Sequence, residues 1–168
     1  MSGSRQTGDS VEVLFTVEGH AAPFGAHVPR GITVGEFVAV AKSESGATNI
    51  ADVFLEDATT PLDYAAALVG SLTTDFKPIH VAAPGKIRTT VKYSTRDVTA
   101  EFGPNVTLET VIVWAIAPGE LNLVGTPSDF QLKLDGKALS PDFHLGQVAR
   151  GAKAITFELV FKVKPQGA

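Results

Sequence analysis

The chain has 168 residues, of which 44% are hydrophobic and 19% charged, enough for one domain or two small ones. A net charge of −4 argues against nucleic acid as the main partner, because phosphate binding needs clustered lysine and arginine. With no cysteine there are no disulfides, no thiolate zinc sites and no cysteine nucleophile, and no apolar run approaches the ~20 residues of a membrane span.

The first ten residues, MSGSRQTGDS, read as a disordered polar arm without the apolar core of a signal peptide, so a soluble cytoplasmic protein is expected. Beyond them the chain lies on itself as two units, residues 11–83 and 89–164, joined by a short linker at 84–88 (PGKIR). Each unit opens with a strand-like alternation, VEVLFTV at Val11–Val17 and TTVKYST at Thr89–Thr95. Each continues with a second extended run, Phe24–Val28 and Asp97–Phe102.

A helix-capping threonine comes next, Thr33 with Glu36 three residues on, and Thr107 with Glu109 in the first turn. The apolar spacing i, i+3, i+4, i+7 then predicts two core-facing helices. It falls on Val34, Phe37, Val38 and Ala41 in unit one, and on Leu108, Val111, Ile112 and Ala115 in unit two. The run VIVW favours strand by propensity, but the cap and the repeat position predict helix, with Val113 on its far side. Pro118 and Gly119 stop it.

A third strand follows in each unit, Asp52–Asp57 and Asp129–Gly136, the latter ending in an Asp135-Gly136 turn signal. A loop-rich stretch leads to a last strand, Phe76–Ala82 and Ile155–Val163. A helix after a first hairpin packs across one sheet face, and the last strand then pairs beside the first. The expected class is α+β, two tandem β-grasp domains.

The stretch LKLDGKALSPDFHLGQVARGAKAITFELVFKVKPQGA has the layout of ubiquitin. It holds an apolar strand, the turn Gly136-Lys137, Leu139, a loop, then a final strand and basic tail. The residues Val160, Phe161, Lys162, Val163 and Lys164 stand where family members alternate leucine and arginine before a glycine pair. Two such units in tandem resemble the interferon-induced tandem ubiquitin-like modifier of vertebrates. They resemble still more its bacterial counterparts, the BilA-type proteins encoded beside activating, conjugating and deconjugating enzymes in antiphage operons.

That resemblance implies a non-enzymatic modifier with no cofactor of its own, joined to targets through Gly167. Here the tail reads Gln166-Gly167-Ala168, so Ala168 has to be removed first. The implied partners are a ubiquitin-activating-like enzyme, a conjugating enzyme, a deconjugating metallopeptidase and target proteins, with neither nucleic acid nor membrane. Two other readings compete: a non-conjugated tandem adaptor or scaffold, and a sulfur carrier, against which the duplication argues.

Strand alternation nominates partner-binding residues. In unit two Phe130, Leu132 and Leu134 point inward and leave Gln131 and Lys133 outward. In the last strand Ile155, Phe157, Leu159 and Phe161 point in, while Thr156, Glu158, Val160 and Lys162 point out. Lys133 stands where the family carries an aliphatic residue, so a dedicated partner presenting an acid to it is expected. The resemblance implies an apolar partner-binding patch on this outer face, in which Val160 keeps its place, and Lys162 and Lys164 are expected either to meet acidic walls of a partner groove or to stand as solvated lysines. In unit one Phe54 takes the outward position between inward Val53 and Leu55, either as that unit's patch or as a contact between the units. His20, His27, His80 and His144 lack ligand spacing and read as structural or surface residues.

Overall fold

The computed structural model describes residues 9–71 and 78–163. It divides into two compact units, Met1–Pro84 and Gly85–Ala168. Unit one contains β1 (Ser10–Val17), β2 (Phe24–Pro29), α1 (Val34–Ser45), β3 (Asp52–Leu55), α2 (Leu68–Ser71) and β4 (Ile79–Ala82). Unit two contains β5 (Ile87–Tyr93), β6 (Arg96–Phe102), α3 (Leu108–Ile116), β7 (Phe130–Leu134), β8 (Lys137–Ala138), α4 (Leu145–Ala149) and β9 (Ala154–Phe161). The first residues expected in the closing strand of unit one, Phe76 and Lys77, lie outside the described residues. Strand β5 starts at Ile87, inside the stretch read as linker.

The sheet orders are β2-β1-β4-β3 and β6-β5-β9-β7-β8. In each unit the last long strand lies parallel to the first, Phe15 beside Ile79 and Thr89 beside Ile155, and every other pairing is antiparallel. This order, with one long helix against one face, is the β-grasp fold, present twice.

The helices form for the reasons visible in the sequence. Thr33 accepts from the Glu36 N–H at 3.2 Å and Glu36 returns a carboxylate to the Thr33 N–H, a capping box of about 1 kcal/mol. Thr107 caps α3 through the Thr110 N–H at 3.3 Å. The β-branched residues of α3 cost a few tenths of a kcal/mol each. Complete burial of Leu108, Val111 and Ile112 returns about 1.5–3 kcal/mol apiece, so packing outweighs propensity. Val113 is 49% exposed, while Trp114 packs edge-on against Phe102 at 5.1 Å.

The internal repeat extends to backbone detail that the sequence pattern does not contain. In unit one Val34 and Gly35 donate to the carbonyls of Ala66 and Tyr64, and Leu68 donates to Ile32. In unit two Leu108 and Glu109 donate to Phe143 and Pro141, and Leu145 donates to Val106, with all six distances between 2.8 and 3.0 Å. The loop before each short helix therefore satisfies the first N–H groups of the long one. Gly35 allows this approach, since a Cβ there would stand 2.9 Å from Tyr64 Cδ1. Each unit has its own core. Phe15, Phe37, Ile50 and Leu68 fill the first, and Ile87, Leu108, Phe130, Leu132 and Phe157 fill the second.

Candidate functional site

Strand β9 carries most of the nominated residues. It lies between β5 and β7, so both of its edges are hydrogen-bonded. Phe157 and Leu159 are buried, Thr156 and Glu158 are exposed, and Val160 is half-buried, as alternation requires. Phe161 departs from the expected pattern. It is 50% exposed and meets Phe130 edge-to-face at 5.0 Å, because the strand has reached the rim of the sheet where the core ends. Leu134 is likewise only partly covered. The Lys162 N–H donates to the Asp129 carbonyl at 2.7 Å, and Val163 beyond it is 93% exposed. Lys164, Gly167 and Ala168 lie outside the described residues.

The outer face of unit two is polar. Lys133 points outward from β7, directly opposite Glu158 on β9. The turn that follows has Asp135 at φ 51° and Gly136 at φ 80°, the left-handed pair of a type I′ hairpin. That turn and the end of β5 wall a shallow cleft of about 380 Å³, lined by Lys92, Ser94, Lys133, Asp135, Gly136 and Glu158. Lys92, Glu158 and Asp135 are not among the partner-binding residues nominated from the sequence. The outward facing of Glu158 is legible from alternation, but its neighbours on β5 and β7 depend on register.

Phe54 has a different setting. It lies on the face of β3 opposite the core residue Val53, yet only 8% of it is exposed, and Leu55 is half-buried. A ring so withdrawn contributes to stability. Phe54→Ala is expected to cost about 3 kcal/mol and to lower the melting transition by roughly 15 °C. A thermal scan checks this, and an open patch residue would leave the transition in place. Nearby, the carboxylate of Glu18, itself buried, accepts from the Ala83 N–H at 2.8 Å, an interaction no motif announces. His80 and His144 are buried, and Nδ1 of His80 is hydrogen-bonded to the Thr16 hydroxyl. Among the described residues no group of three or more His, Asp or Glu side chains is placed to hold a metal ion. No described helix is long and apolar enough to cross a membrane.

The repeated topology and the central closing strand define a tandem β-grasp protein. Residues 88–162 match the sequence model of the family described as BilA ubiquitin-like domain 2. Unit two thus carries a ubiquitin-like domain of the kind that closes BilA proteins, and unit one repeats its β-grasp topology. Among solved structures it is similar to Caldiarchaeum subterraneum ubiquitin, at 20% identity over 48% of this chain and 98% of that one, with a TM-score of 0.39. It is also similar to a structure described as "Molecular Mimicry of SUMO promotes DNA repair", at 14% identity over 46% of this chain and 94% of that one, with a TM-score of 0.40. No curated protein matches its sequence.

Proposed function

We propose that this chain is a ubiquitin-like protein modifier, conjugated to target proteins through Gly167 after removal of Ala168, in bacterial antiphage defence. The observation that supports this most is the route of the chain out of unit two. Strand β9 is held on both edges and ends at Phe161, and among the described residues its last backbone anchor is at Lys162. Gly167 follows five residues later, so an extended tail reaches about 17 Å beyond that anchor. Such a tail suits entry into a narrow active site while the folded unit stays outside.

The chemistry belongs to the partners. An activating enzyme adenylates the Gly167 carboxylate and passes it on as a thioester, and a conjugating enzyme transfers it to an acceptor on the target. A metallopeptidase trims Ala168 and reverses the linkage. Lys162 and Lys164 contribute positive charge along the tail, and Lys133 and Val160 contribute the outer face. Glycine at 167 admits close approach to its carbonyl.

The test is intact mass after incubation with such a peptidase, activating enzyme and conjugating enzyme plus ATP. Loss of one alanine, followed by addition of the trimmed chain to a second protein, is the expected result. An unchanged mass with enzymes shown to be active sinks the modifier and leaves a non-conjugated adaptor.

A further inference from the structure

The outer face of unit two carries a row of charges whose signs alternate across four strands. The register places Asp97 on β6 opposite Lys92 on β5, Lys92 opposite Glu158 on β9, and Glu158 opposite Lys133 on β7. Directly opposed residues share a sheet face. The row therefore reads anion, cation, anion, cation, and it ends at Ala138 on β8. Asp97, Lys92 and Glu158 are exposed and Lys133 is half-buried. Among the described residues none of the four has an opposite charge within 4.0 Å.

The residues next along β5, β6 and β9 on this face are uncharged, while Asp135 in the turn after β7 lines the cleft and a second pair, Arg88 opposite Glu101, lies two rows away. On one side stand Thr99, Thr90 and Thr156, the first two sharing a hydroxyl hydrogen bond of 2.9 Å. On the other stand Val160 and Gln131. Asp97, Lys92, Glu158 and Lys133 thus form a four-charge stripe running perpendicular to the strands, with the cleft between Lys92 and Lys133, which Asp135 also lines, at its middle.

We infer that this stripe docks a partner α-helix that crosses the strands and presents cation, anion, cation and anion at positions i, i+3, i+7 and i+10. The spacing selects the element. Neighbouring strands stand about 4.8 Å apart, so the four charges span about 14 Å. Helix residues three and four apart rise about 4.5 and 6 Å, and i to i+10 spans about 15 Å. A crossing β-strand places same-face residues about 6.8 Å apart and loses step with the stripe after one pair. A stripe of zero net charge also offers nothing to a polyanion or an anionic membrane, which reward an excess of one sign. Exposed pairs contribute modestly to affinity, and their arrangement sets register and rejects wrong partners. The inference holds whether or not Gly167 is conjugated, because the tail takes no part in it.

The experiment uses the full chain, isotope-labelled, and two synthetic alanine-based helical peptides of about 18 residues. One peptide carries Lys, Glu, Lys, Glu at i, i+3, i+7 and i+10. The other carries Lys, Lys, Glu, Glu at the same positions, with the same composition. Amide shifts of Lys92, Lys133 and Glu158 are followed at low salt. The alternating peptide is expected to bind about tenfold more tightly, with the difference fading as salt rises. The double variant Lys92→Glu/Glu158→Lys converts the stripe to two anions followed by two cations, and is expected to reverse the preference. Equal binding of the two peptides, no perturbation of the stripe by either at millimolar concentration, or an unreversed preference in a folded double variant would each overturn the inference. So would stripe shifts that depend on protein concentration alone, which would assign the face to a second copy.

Discussion

Gly167→Glu is expected to abolish transfer of the chain to any acceptor while leaving the fold untouched. The residue lies beyond Lys162, the last described position whose backbone is bonded to the sheet, so the thermal transition should not move. The chemical step is another matter. On the proposed function, an activating site brings the carboxylate of residue 167 within bonding distance of a nucleotide phosphorus. Glutamate at that position adds bulk and a second negative charge beside the reacting one. Misplacement by about 1 Å costs on the order of a hundredfold in rate, and a side chain at a position fitted to glycine is expected to cause a displacement of that order. The measurement is formation of the enzyme thioester on a non-reducing gel. Wild-type yield from the variant would mean that Gly167 is not the reactive residue, and an adaptor reading would then account better for the chain.

Phe157→Ala is the second large effect, and it acts on the fold. Phe157 is wholly buried on the central strand of unit two, opposite Val91 on β5. Truncation removes the ring from water-excluded packing and leaves a cavity in the core of unit two, at a cost of about 3–5 kcal/mol. That is a large part of the stability of a domain of this size. The expected result is a transition lowered by roughly 20 °C, with hydrogen exchange accelerated first in the amides of β5 and β9. Phe161, two positions on from Leu159 and already half in solvent, serves as the comparison. Phe161→Ala should cost clearly less, about 1–2 kcal/mol. Equal losses at the two positions would contradict the placement of the core boundary between them.

The contrast between these two phenylalanines marks what the sequence can and cannot carry. Period-2 alternation assigns Phe157, Leu159 and Phe161 to one face, and that assignment is right for the face. Alternation says nothing of where the helix above the sheet ends, and that decides whether a ring on the inner face is covered. The same limit applies on the other face. Phe54 reads as outward from its place between Val53 and Leu55, and it is outward from the core, but its withdrawal from solvent is a tertiary fact. Local chemistry was more legible. Thr33 with Glu36, Thr107, and Asp135-Gly136 each form the cap or turn their side chains and dihedral preferences dictate. The helix across VIVW also follows from its cap and core spacing, against propensity. The charge stripe escaped for a definite reason. Asp97, Lys92, Glu158 and Lys133 come from four strands, and their alignment is a product of register, which depends on turn geometry and on which strands become neighbours.

The parallel pairing of first and last long strands has a kinetic consequence. Phe15 meets Ile79 and Thr89 meets Ile155, so the central rungs of both sheets join residues far apart in the chain. Until the last strand of a unit exists, its first hairpin keeps one edge unpaired and one apolar face bare. High contact order of this kind places folding in the slower range of small domains, milliseconds to seconds. During synthesis each unit therefore passes through an interval as an unclosed, adhesive half-sheet, and two adjacent units of one topology double the chances of pairing with the wrong mate.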